Sequence, residues 1–380
     1  MDKPTLVIIN NYIWSVDNID VRMKYELLSE RYNGLMLYLC SGKHEHVYGN
    51  FRCLSSPYSN PVKRMLTYPL FCLRMARTLG HVDAIICYDP LIPGIVGYLL
   101  KLVTGARLIV EVNTHNVLAM RLKGASLLSR LKNYFVPLVI RIVLKRADAI
   151  KFVSATLRDD VTKAIDLSRQ HLANFNDFVP SSVFANTPSE NSCYILTVGF
   201  PYQIKGVDVL IRAFNLITDE FPEVRLKVIG SCNDFSPYKE LTDDNHAIEF
   251  HTGMPYAELI PHFERCLFFV LASRTEGLPR VLIEAMASGK ALIGSNVGGI
   301  PELIEDGVNG LLFESENHEM LADRMRTLLR DERLMRQMGE ASYRKAQENY
   351  TPKRYMDLYH ELIIEVTGCL NVQPAFLNHD

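Results

Sequence analysis

Two glutamates, Glu276 and Glu284, stand in the run Ser273-Arg274-Thr275-Glu276-Gly277-Leu278-Pro279-Arg280-Val281-Leu282-Ile283-Glu284. An apolar stretch that reads as a strand precedes the run, and Pro279 suits the first turn of a helix. Glu276 then falls in the loop, and Glu284 one to two turns inside the helix. Carboxylates at these two depths accept hydrogen bonds from different hydroxyls of one extended ligand. Gly277 lets a ligand approach the backbone closely. Taken alone, the pair fits equally well a helix N-terminal charge and a solvated side chain.

Two further loops have phosphate chemistry. Gly298-Gly299-Ile300-Pro301-Glu302 follows the apolar run 290–294. Paired glycines before a Pro-started helix expose backbone N–H groups, an anion site suited to a diphosphate. Gly199-Phe200-Pro201-Tyr202-Gln203-Ile204-Lys205-Gly206 follows the run 193–198. There Lys205 opens the next helix and reaches over a phosphate as a point charge. In the first half, Leu108–Val112 leads into Asn113-Thr114-His115-Asn116, and the first strand leads into Asn10-Asn11-Tyr12-Ile13-Trp14. Strand ends carry the chemistry in parallel α/β sheets, so Asn11, Trp14, Asn113 and His115 are candidates. Trp14, the single tryptophan, suits stacking on a sugar, contact with lipid, or plain packing.

These loops need β-α alternation to hold them. Strands are expected at 5–9, 35–40, 84–87, 107–112 and 149–153, and helices at 19–30, 61–78, 91–103, 127–146 and 155–166. Gly34, Gly80 and Gly105 are read as helix stops. The Pro- and Asn-bearing stretch Asn174–Asn191 is read as a linker. Alternation restarts with strands at 193–198, 225–230, 247–250, 267–271, 290–294 and 310–313. Helices are expected at 205–220, 255–263, 279–288 and 317–348, with a last amphipathic stretch Pro352–Thr367. The fold class is α/β, two Rossmann-like domains facing a cleft. The expected bounds are 1–185 for an acceptor domain, 186–351 for a donor domain and 352–380 for a helix returning to the first domain.

Together, the loops resemble glycosyltransferase family 4, in detail over Ser192–Phe313 and loosely over the whole chain. The Glu-x7-Glu spacing of Glu276 and Glu284 is similar to that family's signature. So are Lys205-Gly206, Gly298-Gly299-Ile300-Pro301-Glu302 and Asp306-Gly307-Val308-Asn309-Gly310. The resemblance implies the GT-B fold and retaining transfer of a sugar from a nucleotide-sugar donor. It places Glu276 at the donor sugar, Glu284 at the ribose, Lys205 at the diphosphate, Gly277 and Leu278 beside it, and His115 near the anomeric carbon. One departure stands out. The family usually carries Arg after the glycine matched by Gly199, and here Phe200 occupies that place. Arg274 and Arg280 are the candidate substitutes. The usual Gly-rich first loop is also absent.

Composition sets the remaining expectations. The chain has 380 residues, 48% hydrophobic and 22% charged, enough for two cores. Its eight cysteines form no Cys-x-x-Cys pair, which argues against a zinc site and for buried reduced thiols. The first apolar run is too short for a signal peptide, and no stretch is long enough to span a bilayer. Residues 1–185 hold 23 Lys+Arg against 14 Asp+Glu (+9), and the remainder 18 against 29 (−11), which returns the net −2. Met120–Ala147 carries seven cations and no acid, interleaved with Leu127, Leu128, Tyr134, Phe135, Val136 and Ile140. That composition fits a helix lying on an anionic membrane surface, or a helix with a solvated basic face. Lys63, Arg64, Arg74 and Arg77 form a second such stretch. No nucleic-acid recognition motif accompanies the charge. No Asp-x-Asp flanks a strand, and Asp159-Asp160 and Asp243-Asp244 read as solvent-facing helix residues, so no metal and no cofactor is expected. The expected protein is a cytoplasmic, peripheral membrane transferase acting on a glycan or lipid-linked acceptor. A nucleotide-sugar 2-epimerase and a non-catalytic nucleotide-sugar binder are the rivals.

Overall fold

The structure, a computed structural model, describes residues 3–11, 19–40, 44–113, 127–180, 183–184, 193–232 and 234–368. The chain divides into two compact units, Met1–Phe175 with Tyr355–Asp380, and Asn176–Arg354.

The first unit is built on an eight-stranded sheet in the order β3-β4-β2-β1-β5-β6-β7-β8. Its strands are β1 (Thr5–Asn10), β2 (Asn33–Tyr38), β3 (Glu45–Tyr48), β4 (Phe51–Ser55), β5 (Ala84–Cys87), β6 (Arg107–Val112), β7 (Ala149–Phe152) and β8 (His171–Asn174). All neighbours are parallel except the β3/β4 hairpin at one edge. The crossovers are α1 (Ile19–Arg31), α2 (Pro61–Arg77), α3 (Ile92–Thr104), α4 (Leu127–Arg146) and α5 (Ala155–Ala164). Strands β1, β5 and β7 are buried along almost their whole length, as a parallel sheet covered on both faces requires.

The second unit holds a six-stranded sheet, β11-β10-β9-β12-β13-β14, parallel throughout. Its strands are β9 (Tyr194–Val198), β10 (Arg225–Ile229), β11 (Ile248–His251), β12 (Phe268–Leu271), β13 (Ala291–Ser295) and β14 (Gly310–Phe313). The helices are α6 (Val207–Asn215), α7 (Ser236–Glu240), α8 (Tyr256–Arg265), α9 (Arg280–Ala287), α10 (Ile300–Leu303), α11 (His318–Arg330) and α12 (Glu332–Asn349). Alternate strand residues feed two separate cores. Ile195, Phe268, Val270, Ala291 and Ile293 join one. Leu196, Phe269, Leu271 and Leu292 join the other. The period-2 geometry of a strand splits a continuous apolar run between two covered faces.

Several expectations change. The unit boundary falls after Phe175 because Val179 and Phe184, inside the expected linker, are buried in the second unit's core. The last helix, α13 (Pro352–Thr367), contributes Tyr355 onward to the first unit. There Asp357 pairs with Arg31 at 2.8 Å, and His360 meets the Tyr32 hydroxyl. The expected helix 317–348 is two helices, since Asp331 ends α11 and caps α12 by accepting from Leu334 N. Gly34 is not a helix stop. It lies in β2, where a Cβ would sit 2.4 Å from the Leu6 carbonyl oxygen and 2.7 Å from the Phe51 ring. Asp243 and Asp244 lie in a turn at positive φ, not in a helix. Cys53, Cys72, Cys87 and Cys266 are buried free thiols, whereas Cys193 is exposed.

Candidate functional site

The donor-type residues gather where β9, β12 and β13 end. Lys205 sits in the turn before α6, with its N–H on the Pro201 carbonyl, rather than inside the helix. Its Nζ lies 2.6 Å from Glu276 Oε1, and the two side chains are 16% and 11% exposed. Ser273 Oγ donates to the same Glu276 oxygen at 2.6 Å. Ser295 Oγ, at the end of β13, donates to the Ser273 carbonyl at 2.6 Å and so ties that strand end to the loop. An ammonium and a carboxylate 71 residues apart are thus held at hydrogen-bond distance in a partly open pocket of loops. Such a pair is stronger than one in bulk water and still accessible to a ligand.

Glycines allow these loops to touch. Gly206 caps α6 with φ 61°, and a Cβ there would lie 2.0 Å from the Ala272 carbonyl oxygen. Gly298 has φ 52°, and its Cβ would lie 2.0 Å from the Glu276 carbonyl oxygen; that of Gly299 would lie 2.1 Å from the Gly277 oxygen. Any side chain at 298 or 299 would push the second loop off the first. The paired glycines therefore serve close backbone packing around Glu276, and α10 behind them is a single turn of four residues. Gly199 faces the aliphatic stem of Lys205, with only 2.8 Å left for a Cβ before Lys205 Cε. Leu278 packs against Gly299.

Glu284 is buried at 4% exposure in α9, so it is not the solvated side chain that spacing alone allows. Arg280, one turn earlier, places Nε 3.2 Å from its Oε1 and lies over the Tyr256 ring. Arg274 forks onto Asp208 at 2.8 and 2.9 Å and also reaches Glu316. Burial alone pushes the Asp208 carboxyl up, but the Arg274 hydrogen bonds and charge outweigh it and hold the group below the usual carboxylate range. Asp208 in turn raises the guanidinium pKa. Each of the two candidate substitutes for the cation absent at Phe200 is thus paired with a carboxylate, as Lys205 is. Phe200 itself is 49% exposed.

In the first unit, Asn11 and Asn113 follow β1 and β6 on the same sheet edge, separated by β5. Each has a buried side-chain oxygen with no hydrogen-bond partner among the described residues. Asn113 Nδ2 donates to Glu111 Oε2 at 3.3 Å. Glu111 also takes Lys151 Nζ at 3.2 Å and the Tyr359 hydroxyl of α13. Glu111 and Lys151 are opposite each other in the β6/β7 register and are almost wholly buried. Lys151 also lies over the Phe175 and Tyr355 rings. This anchor was missed, although its signal is a charge among the apolar residues of each of two neighbouring strands, Glu111 in RLIVEV and Lys151 in AIKF. Ser273 and Ser295 were missed too, since a serine at a strand end carries no spacing signature. His115, Trp14 and residues 120–126 lie outside the described residues. The side chains of α4 are described from Tyr134 onward, and Tyr134, Phe135, Leu138 and Ile142 are exposed there beside Arg141, Lys145 and Arg146. Among the described residues no helix is long and apolar enough to cross a membrane.

Comparison with known proteins bears on this site. The family model for group 1 glycosyl transferases matches residues 180–345. An uncharacterized glycosyltransferase of Haemophilus influenzae is 30% identical over 184 residues, 47% of this chain and 50% of that protein. The chain aligns with about half or less of the first curated relatives it matches. Sucrose-phosphate synthase from Thermosynechococcus elongatus superposes with TM-score 0.79 at 16% identity, covering 96% of this chain and 100% of that one. The Anabaena protein HepE, in complex with UDP and glucose, superposes with TM-score 0.75 at 14% identity, covering 95% and 99%. The chain has the GT-B fold, and residues 180–345, within its second unit, match the model of the group 1 glycosyl transferases.

Proposed function

We propose that this chain transfers a sugar from a nucleotide-sugar donor to a glycan or lipid-linked acceptor, with retention at the anomeric carbon and without a metal ion. The setting is the cytoplasmic face of an anionic membrane, in cell-surface polysaccharide or lipopolysaccharide synthesis. The cluster of Lys205, Glu276 and Ser273 carries the reading. A diphosphate entering there takes Lys205 as its cation, which releases Glu276 to accept hydrogen bonds from the donor sugar. Glu284 accepts from the ribose. Gly199, Gly277, Leu278, Gly298 and Gly299 form the loop walls beside the diphosphate. The solved neighbour holding UDP and glucose supports a nucleotide-sugar of that kind.

The acceptor oxygen bonds to the anomeric carbon on the face from which the diphosphate departs. The electron pair of the breaking C–O bond passes to the phosphate, whose oxygen takes the acceptor proton. Lys205 stabilises the charge that develops there. His115 contacts the sugar near that carbon, and Asn11, Trp14 and Asn113 receive the acceptor. The Asn11 and Asn113 oxygens, without a partner among the described residues, suit hydroxyl donors. The exposed apolar and basic residues of α4 support the membrane setting.

Labelled nucleotide-sugars offered with and without acceptor test the reading. Turnover that requires acceptor, persists in EDTA and falls about 10²–10³-fold in Glu276→Ala is expected. Epimerised donor without acceptor, or binding with no turnover of any donor, overturns it. Flotation with anionic vesicles should succeed at low salt and weaken in Arg130→Gln/Lys132→Gln/Arg141→Gln. Equal recovery of wild type and variant refutes the membrane setting.

A further inference from the structure

The ends of the first unit's strands opposite Asn11 and Asn113 carry a second concentration of charge. A cavity of about 500 Å³ is lined there by Lys101, Arg107, Lys145, Arg146 and Arg169, against the two carboxylates Asp148 and Glu365. Arg107 is the first residue of β6, Asp148 precedes β7 and His171 opens β8. Lys101 and the Lys145-Arg146 pair come from the last turns of α3 and α4. Asn113 follows the same strand that Arg107 begins, so the cavity lies about 20 Å from the candidate acceptor edge at ~3.3 Å per residue.

Both carboxylates of the lining are already engaged. Asp148 takes Lys101 Nζ at 2.6 Å, Arg107 Nη1 at 3.4 Å and the Leu108 N–H at 2.7 Å. Glu365 takes His171 Nε2 at 2.8 Å. Lys145, Arg146 and Arg169 have no carboxylate within ion-pair distance among the described residues, and all three are exposed. Asp166 is held below the usual carboxylate range first by hydrogen bonds from Ser168 and only then by Lys145 and Arg169. Gln170 Nε2 donates to the Lys145 carbonyl at 3.1 Å and fixes the wall between Lys145 and Arg169. Surplus cations converging on one concavity, two of them guanidiniums with planar forks, match the tetrahedral oxygens of a phosphate.

We infer that this cavity is a second anion site, distinct from the loops around Lys205, which binds the phosphate group of a phosphate-bearing ligand. The inference does not rest on sugar transfer, because no residue of the donor loops takes part. The ligand's source is a soluble phosphate compound or the headgroup of a phospholipid.

The test uses the full chain carrying Lys205→Ala, so that the candidate donor loop does not add its own phosphate binding. Sodium pyrophosphate is titrated by calorimetry, and vesicles of phosphatidylcholine with and without phosphatidic acid are sedimented with the protein. Binding of either probe is expected, with affinity at least about tenfold weaker in Lys145→Ala/Arg169→Ala. Both side chains are exposed, so folding is not at issue. Arg141→Gln removes an exposed cation of the same helix outside the cavity and is expected to leave pyrophosphate affinity unchanged. Pyrophosphate binding alone identifies a soluble source, and phosphatidic acid binding alone a lipid headgroup. If neither probe binds, if the double variant binds as the parent does, or if Arg141→Gln weakens pyrophosphate equally, the site is refuted.

Discussion

In each unit of the molecule a lysine–glutamate pair lies near the carboxyl ends of strands, Glu111–Lys151 in the first and Lys205–Glu276 in the second, and the two pairs differ in their setting. Glu111 and Lys151 are 2% and 0% exposed, whereas Glu276 and Lys205 are 11% and 16% exposed. Glu111 receives three donors, from Lys151, Asn113 and Tyr359. Its lysine is further enclosed by two aromatic rings. The Glu276 oxygen receives Lys205 and Ser273 from two loops, and both charges border solvent. A buried pair must be fully satisfied, since a lone buried charge is costly. A partly open pair can exchange its partner for a ligand. Burial and completeness of partners therefore separate an anchor from a binding site where residue type does not.

The largest expected effect attacks the anchor. Glu111→Ala leaves the Lys151 ammonium buried without its carboxylate and should cost about 3–5 kcal/mol. Glu111→Met/Lys151→Met removes both charges and should recover most of that loss. Urea unfolding followed for the first unit measures both. Glu276→Ala, by contrast, should change stability by less than about 1 kcal/mol. Equal destabilisation by Glu111→Ala and Glu276→Ala would erase the distinction between the two pairs.

A smaller effect sharpens the binding side. Glu284 is nearly as buried as Glu111, yet its neighbour Arg280 is 37% exposed, and the pair lies in the first turns of α9. If it accepts from a ribose, Glu284→Ala should weaken free nucleoside diphosphate by about 1.5–3 kcal/mol in calorimetry. Glu276→Ala should leave that affinity nearly intact. Unchanged affinity in Glu284→Ala would make Glu284 another anchor, and the comparison would move it to the buried class.

How much of this was legible follows from what each residue contacts. The strands of the second unit stand out because both faces are covered, so runs such as Phe268–Leu271 are wholly apolar. Strand β3 (EHVY) and β8 (HLAN) are edge strands with few buried residues, and no periodic signal marks them. The spacing of Glu276 and Glu284 is local and could be read. The Lys205–Glu276 contact joins two crossovers and could not. Arg274 looked available because its carboxylate, Asp208, sits on a helix 66 residues away, whereas the Arg280–Glu284 pair is an i,i+4 contact within one helix. The Glu111–Lys151 anchor was within reach, since each is the one charge inside an otherwise apolar strand core.

The smallest expected effect concerns the residue that departs from the family pattern. With Arg274 held by Asp208 and Glu316, and Arg280 held by Glu284, Lys205 is the cation that borders Glu276. Position 200 follows Gly199, whose backbone already lies against the Lys205 stem, and the Phe200 side chain is half exposed. Phe200→Arg therefore adds a guanidinium beside the same loop without opening a core cavity. A second charge-assisted contact should tighten nucleoside diphosphate binding by up to about tenfold. The gain should shrink with added salt, since the side chain is exposed. Calorimetry at two ionic strengths reads both effects. Because a diphosphate held by one cation must draw more on Lys205, Lys205→Ala should cost less in the Phe200→Arg background than in the parent. Additive losses would mean that position 200 does not face the phosphate and that the departure concerns another part of the donor.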